Sequence, residues 1–309
     1  MKISVIAIAL AACVLAGPVS AEILPSDCSA EYVGGKAPDL ANEKLSVNLR
    51  EICFSQFGVF HSGITATPLF VGQRLTADIV RKAGAIDRND VFHAEPSIPS
   101  AERAELVHYR GSGYDRGHMA PAADMATDRA NDESFSLANM VPQNPGLNRG
   151  PWADIENTTR RLATRYGEIY VVTGPVFSGS KLTKIGKRVI VPSAVYKAVY
   201  IPATGQASAW WADNADGAME VISVSALATR IGADVFPAVP ASSKQAVVSL
   251  PLPGKKSAVA RSPKVSPEVG FHDKAERGAH PVEEGTWWMW VLALLLDVLE
   301  ALLRIVGRN

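Results

Sequence analysis

The chain has 309 residues, with 31 basic and 31 acidic side chains and 47% hydrophobic content. That length allows one large domain or two small ones with a substantial core. The balanced charge excludes a protein that coats nucleic acid through bulk electrostatics, but leaves room for a locally basic groove.

From the N-terminus, Lys2, the apolar run Ile3–Leu15 and the small residues Val19-Ser20-Ala21 read as a secretory signal over residues 1–21. The alternative is lipoprotein-type processing at Leu10-Ala11-Ala12-Cys13, which would leave Cys13 lipidated. Once the signal is removed, Cys28 and Cys53 remain. An even pair in an exported chain predicts one disulfide closing an N-terminal loop, worth about 3 kcal/mol by loop entropy.

Residues 22–240 read as one mixed domain. Glu168–Thr173 is a strand run stopped by Gly174-Pro175. Arg188–Ile201 is β-branched and aromatic, with Pro192 at an irregularity or an edge, and Ala207–Ala212 is a further strand. Between them a helix is expected from Pro151, suited to a first helical position, to Gly167, suited to the residue just past the end. Trp152, Ile155, Thr159, Leu162 and Tyr166 form its apolar stripe. If the helix begins near Asn148, then Asn148, Glu156 and Arg160 line an adjacent face. Short strands mixed with helices predict an α+β core around a sheet.

Past Pro240 the composition changes. Residues 241–284, rich in Pro, Ser, Ala and Lys, read as a linker. Residues 285–309 form a strongly apolar segment in which Asp297, Glu300 and Arg304 make one narrow polar stripe, flanked by Trp287, Trp288 and Trp290 at one end and Arg308 at the other. This predicts a C-terminal hydrophobic helix that spans a membrane, lies on it or docks a partner; membrane association is the leading expectation.

The chemistry concentrates in Asp115-Arg116-Gly117-His118, Leu137-Ala138-Asn139-Met140-Val141-Pro142-Gln143, Asn148, Trp152, Glu156 and Arg160. Phosphodiester hydrolysis needs an activated water and stabilisation of charge on the phosphoryl and leaving oxygens. A neutral imidazole such as His118 accepts a proton near neutral pH. A hard divalent cation suits the remaining tasks, and because it keeps several waters one amide oxygen, from Asn148, can suffice as its protein ligand. Glu156 would then hold metal-bound water, and arginines would contact phosphate bidentately. Singly, each residue has an ordinary structural explanation: Asn139 and Asn148 as turn or capping residues, Glu156 and Arg160 as an exposed i,i+4 pair. Their joint spacing favours the catalytic one. The other histidines, His61, His93, His108, His272 and His280, are expected to be structural or superficial.

Together these blocks closely resemble the DNA/RNA non-specific endonuclease family of the ββα-metal (His-Me finger) superfamily. The resemblance spans roughly Cys53 to Tyr200, and Arg88-Asn89-Asp90-Val91-Phe92 with Pro96 to Pro99 extends it upstream, with Glu95 where the family pattern suggests aspartate. It implies a ββα-metal core on a mostly antiparallel sheet. His118 would be the general base, Asn148 the direct ligand of hydrated Mg2+ and Glu156 the holder of metal-bound water. Asn139 would orient catalytic groups or substrate, and Arg116, Arg88 and Arg160 would contact phosphate or stabilise the transition state. Mn2+ suits much the same ligands. Cleavage leaving 5′-phosphate ends with little base preference is implied.

The partners expected are DNA and RNA, and a membrane through the C-terminal helix, with a homodimer left open. The location expected is the periplasm or cell envelope. A competing class is a non-catalytic nucleic-acid-binding or uptake protein on the same fold; the intact His118, Asn148 and Glu156 set speaks against it.

Overall fold

Alternation of apolar side chains along a series of β-rich segments builds one seven-stranded sheet in the computed structural model, which describes residues 28–40, 46–215, 219–248 and 250–252. In chain order the elements used below are β1 (Leu49–Cys53), β2 (Gly58–Ser62), β3 (Thr67–Thr76), α1 (Ala77–Ala83), β4 (Asp115–His118), α2 (Asp128–Ser134), β5 (Met140–Gln143), α3 (Ala153–Tyr166), β6 (Glu168–Val176), β7 (Ala194–Ile201), β8 (Gln206–Asp213), β9 (Met219–Ile222) and α4 (Val224–Ile231). The sheet order is β9-β8-β7-β6-β3-β2-β1, antiparallel throughout. This is the α+β class expected.

Both faces of the sheet are covered, so successive residues of a central strand enter two different cores. Val71, Val171, Val195 and Val199 pack with Trp152, Ile155, Met119 and Trp210 on the face that carries α3. Their neighbours Phe70, Val172, Tyr196 and Ala198 pack with Leu227 of α4 and with Phe236 on the other. Cys28 and Cys53 form the expected disulfide, with Cα atoms 5.3 Å apart.

Gly174-Pro175 does not stop β6, which runs on to Val176. Beyond Thr173 the strand has left β3 and pairs only with β7, so the proline lies where no amide is required on that side. Pro192 does fall at a break, between the pair Val189–Ile190 and β7. The domain also continues past Pro240. Ala241–Gln245 is helical, Leu250 is buried in the α3-side core, and the Trp210 indole donates to the Pro251 carbonyl at 3.0 Å. A linker starting at Ala241 is therefore corrected: the composition there is linker-like, but its apolar members still have core to fill. The signal segment, Cys13, the rest of the linker, the C-terminal segment, His272 and His280 lie outside the described residues. Among the described residues no helix is long and apolar enough to cross a membrane.

His61 on β2 is fully buried, and neither ring nitrogen has a hydrogen-bond partner among the described residues. Burial first, then the charges of Arg188 and Arg50, lower its pKa from 6.5 to about 3. The folded chain keeps this ring neutral while the unfolded chain protonates it, so the stabilisation is complete above pH 6.5 and is lost as pH falls toward 3. The expected loss is about 1.4 kcal/mol per pH unit in that window. Urea midpoints measured down through the window should fall, and His61→Gln should flatten the fall. An equal slope in both proteins would show that this ring is not the source.

Candidate active site

The site is assembled from three local structures, of which the first is the β4/β5 hairpin. Its register pairs Asp115 with Gln143, Gly117 with Val141 and His118 with Met140. A Cβ at Gly117 would run into the Gln143 side chain, which explains why glycine stands beside the histidine. The turn after His118 is clamped by Asn139, which is fully buried. Its Oδ1 accepts from the Ala120 amide at 2.9 Å, and its Nδ2 donates to the carbonyls of Ala120 (2.8 Å) and Ser134 (2.9 Å). Asn139 thus fixes backbone next to the histidine and does not line the cavity described below. Glu95 helps from the other side, accepting from Ser97 and from the Ser136 hydroxyl at 3.0 Å.

His118 sits between two phenylalanines, with ring centroids 5.8 Å from Phe92 and 5.2 Å from Phe135. The guanidinium of Arg116 lies 3.9 Å from the Phe92 centroid, and that of Arg88 lies 5.3 Å from Phe135. Burial, reinforced by the positive charges of Arg88 and Arg116 and opposed by Asp90, lowers the imidazole pKa to about 3. The ring is therefore a neutral proton acceptor at physiological pH. Its Nε2 is buried without a partner among the described residues.

The second structure replaces the expected start of the helix. Pro151 is not the first residue of α3. It lies in a wide π-turn, Asn148–Trp152, where Gly150 takes the non-helical angles φ −113°, ψ −109°. Proline has no amide to give to an α-ladder, so the chain widens by a residue before α3 begins at Ala153. Asn148 and Glu156 consequently do not belong to one continuous α-helix, yet both face the same cavity. Upstream, Asn144 caps the approach by accepting from Gly146 (2.8 Å) and Leu147 (3.2 Å). The Asn148 amide is pinned through Nδ2 to Asp115 Oδ2 at 2.9 Å, while Arg149 makes a bidentate pair with the same carboxylate at 2.8 and 2.6 Å. Oδ1 of Asn148 is left as the amide's other polar atom.

The third structure is α3, which ends as expected at Gly167, with φ 85°. Trp152, Ile155 and Thr159 are buried, with Leu162 and Tyr166 packed at the core's margin. Glu156 lines the cavity, and burial pushes its carboxyl up to about 7, against the pull of Lys197. Arg160 turns elsewhere. It donates to Asp124 at 2.7 Å and to Asn157 at 2.6 Å and does not line the cavity. Asp124 is fully buried and also accepts from Gln73 at 3.2 Å. Below lies Lys197, 1% exposed, whose Nζ donates to Thr173 Oγ1 at 2.7 Å and to the Met119 carbonyl at 3.3 Å.

The cavity holds about 720 Å³ and brings together His118, Arg116, Arg88, Asn148 and Glu156. Arg110 and Arg149 join them, so four guanidiniums face two carboxylates, Asp115 and Glu156. This is the basic groove that the neutral overall charge left open. Sequence reasoning gave no role to Asp115, Arg110, Arg149, Asp124 or Lys197. Asp115 stood inside a quoted motif and Arg149 next to Asn148, but only the fold shows that they meet across 34 residues.

Among the described residues no cluster of three or more His, Cys, Asp or Glu side chains could cage a metal ion. An amide oxygen beside one carboxylate in a polar cavity instead fits a hard, largely hydrated divalent cation, which takes few protein ligands.

The chain belongs to the DNA/RNA non-specific endonuclease family, whose pattern it matches over residues 37–242. Among curated proteins it is similar to "Nuclease C1" of Cunninghamella echinulata var. echinulata, 41% identical over 43% of this chain and 58% of that protein. It is also similar to "Endonuclease G, mitochondrial" of Bos taurus, 37% identical over 46% of this chain and 50% of that one. The chain thus spans about half the length of these relatives. Among solved structures it resembles the crystal structure of the EndoG/EndoGI complex, with TM-score 0.55 and 28% identity over 59% of this chain and 84% of that one.

These findings correct the expected location. The bovine relative is named as mitochondrial, as is "Nuclease 1, mitochondrial" of Schizosaccharomyces pombe. No helix among the described residues can span a bilayer, and the segment read as an anchor lies outside them. The periplasmic or envelope location and the membrane partner are withdrawn.

Proposed function

We propose that this chain is a metal-dependent endonuclease that hydrolyses phosphodiester bonds of DNA and RNA with little base preference. One observation carries the reading: His118 and the Asn148–Glu156 pair, from different elements, meet in one cavity ringed by four arginines. Arg88 and Arg116 hold the scissile phosphate against the imidazole, and His118 takes the proton of the attacking water. Asn148 and Glu156 hold hydrated Mg2+, or Mn2+ by the same oxygens. When bound, the cation supplies charge neutralisation at the phosphoryl and leaving oxygens. Guanidiniums recognise backbone and not bases, which supports weak sequence preference. Asn139 and Arg160 act as positioning residues, the first for the turn after His118 and the second for α3.

Digestion of plasmid DNA and of RNA by the full chain, with and without EDTA and with His118→Ala, tests the proposal. Cleavage that survives both changes sinks it. Asp115 supplies a second test, because it orients the Asn148 amide. Asp115→Ala is expected to weaken the apparent Mg2+ affinity by about 10–100-fold, the usual effect of losing a partner that orients a metal ligand. An activity-versus-Mg2+ curve superimposable on that of the parent would separate Asp115 from the cation. Loss of its ion pair with the exposed Arg149 should matter little for stability.

A further inference from the structure

Helix α3 has a face that the catalytic reading leaves unused. Asn157, Arg160, Arg161, Thr164 and Arg165 follow three- and four-residue steps and, with Val80 of α1, line a shallow depression outside the cavity. No carboxylate lines it among the described residues. Arg160 forms its inner wall, held by Asp124 and Asn157. Arg161 and Arg165 are exposed; the first is steadied by Thr158 Oγ1 at 2.5 Å, and the guanidinium of the second lies 5.2 Å from the Tyr166 ring. The helix does not need these charges to fold, because the opposite stripe of Trp152, Ile155 and Thr159 anchors it. A favourable interaction with the helix C-terminus accounts for Arg165 in the last turn, but not for Arg161 one turn earlier.

We propose that this face is a second phosphate site, which binds the backbone of the nucleic acid flanking the bond being cut. The proposal rests on the nuclease reading above. Glu156 stands on the same helix, and at 1.5 Å per residue Arg161 and Arg165 lie about 7 and about 13 Å further along its axis. The step between them, about 6 Å, is close to the separation of successive phosphates on one strand. Each guanidinium can engage a phosphate through two parallel hydrogen bonds, and the Asn157 amide adds a neutral donor. Such contacts fix register and carry no base information, in keeping with a non-specific enzyme.

Binding of a short fluorescent DNA duplex by the full-length His118→Ala chain with Mg2+, over a series of salt concentrations, tests this. Adding Arg161→Gln and Arg165→Gln is expected to weaken binding at low salt by about tenfold or more. The slope of log affinity against log salt should become shallower by about 1.8, since each phosphate contact contributes about 0.9. Arg161→Lys with Arg165→Lys keeps the charges and should return most of the slope. An unchanged slope in the glutamine variant overturns the second site, even if affinity falls, because released counterions are what a phosphate contact must show. If the His118→Ala parent itself fails to bind the duplex, the nuclease reading falls with it; if the parent binds and the glutamine variant keeps its slope, only the second site is lost.

Discussion

Replacing His118 with alanine is expected to slow phosphodiester cleavage by about 10²–10⁴-fold, the range that a positioned general base supplies. The loss should appear in kcat, with KM little changed, because in the proposed mechanism Arg88 and Arg116 would still hold the phosphate. The fold should persist. Nε2 of His118 has no partner to lose, and the turn beside it is held by Asn139 rather than by the ring. Exogenous imidazole should restore part of the rate by occupying the gap between Phe92 and Phe135. A loss confined to KM, or a melting temperature that falls in step with activity, would remove His118 from the chemistry.

The low pKa of this imidazole belongs to the same argument. Burial and the two arginines hold it at about 3, so the free base is fully available but weakly basic. A bound phosphodiester would offset those arginine charges and raise the pKa toward the range where proton transfer is efficient. On the proposed reading the arginines would both bind the substrate and, beside the larger effect of burial, help to set when the base becomes strong.

How much of this was legible in the sequence depended on how local the physics was. His118, Asn148 and Glu156 could be read because each lies in a short motif whose residue types are uncommon together. The apolar stripe of α3 and its end at Gly167 follow from helical periodicity and a glycine cap, which are also local. The start of α3 was misread because Pro151 suits a first helical turn and a π-turn equally, and only the packing of buried Trp152 decides between them. Gly174-Pro175 looked like a stop because a sequence does not show on which side a strand has already lost its neighbour. Composition suggested a linker after Pro240, yet Leu250 fills a core whose other buried members lie at Ala212 and before, and the Pro251 carbonyl accepts from Trp210. Helical spacing puts Arg160 on the face of Glu156 and the family resemblance puts it at the phosphate, but its bond to Asp124, 36 residues away, turns it aside. The charges beneath the site are the least legible, since a lysine in a β-rich run gives no sign that it will be buried.

That lysine leads to the largest effect expected on stability. Lys197 is 1% exposed and ties together the Met119 carbonyl, next to His118, and Thr173 of β6, and it lies 5.7 Å from the ring of Trp152 in the π-turn. Burial lowers its pKa while Glu156 and Asp124 pull it back up; burial likewise raises both carboxyls, and Lys197 opposes that rise. With Arg160 it offsets the charge of those two carboxylates. Lys197→Met keeps the volume, removes the charge that opposes Glu156 and Asp124, and leaves the buried Met119 carbonyl and Thr173 hydroxyl without this donor, at about 1–3 kcal/mol for a buried group left unpaired. The site can offset part of the lost charge by protonation. The Glu156 carboxyl already stands at about 7, against 4.5 when free, and without Lys197 it must rise further. A raised folded-state pKa favours folding below the unfolded value and loses that contribution as pH climbs through the folded one. The deficit of the variant should therefore be smallest in acid and largest on the alkaline side, as urea denaturation across pH would show. Activity should move the opposite way with pH, because in the proposed role Glu156 is ionised to hold metal-bound water: the acid limb of the pH–rate profile shifts to higher pH, and added base recovers rate. A variant that melts earlier by the same amount at every pH, with its pH–rate profile in place, would make Lys197 a packing residue and nothing more.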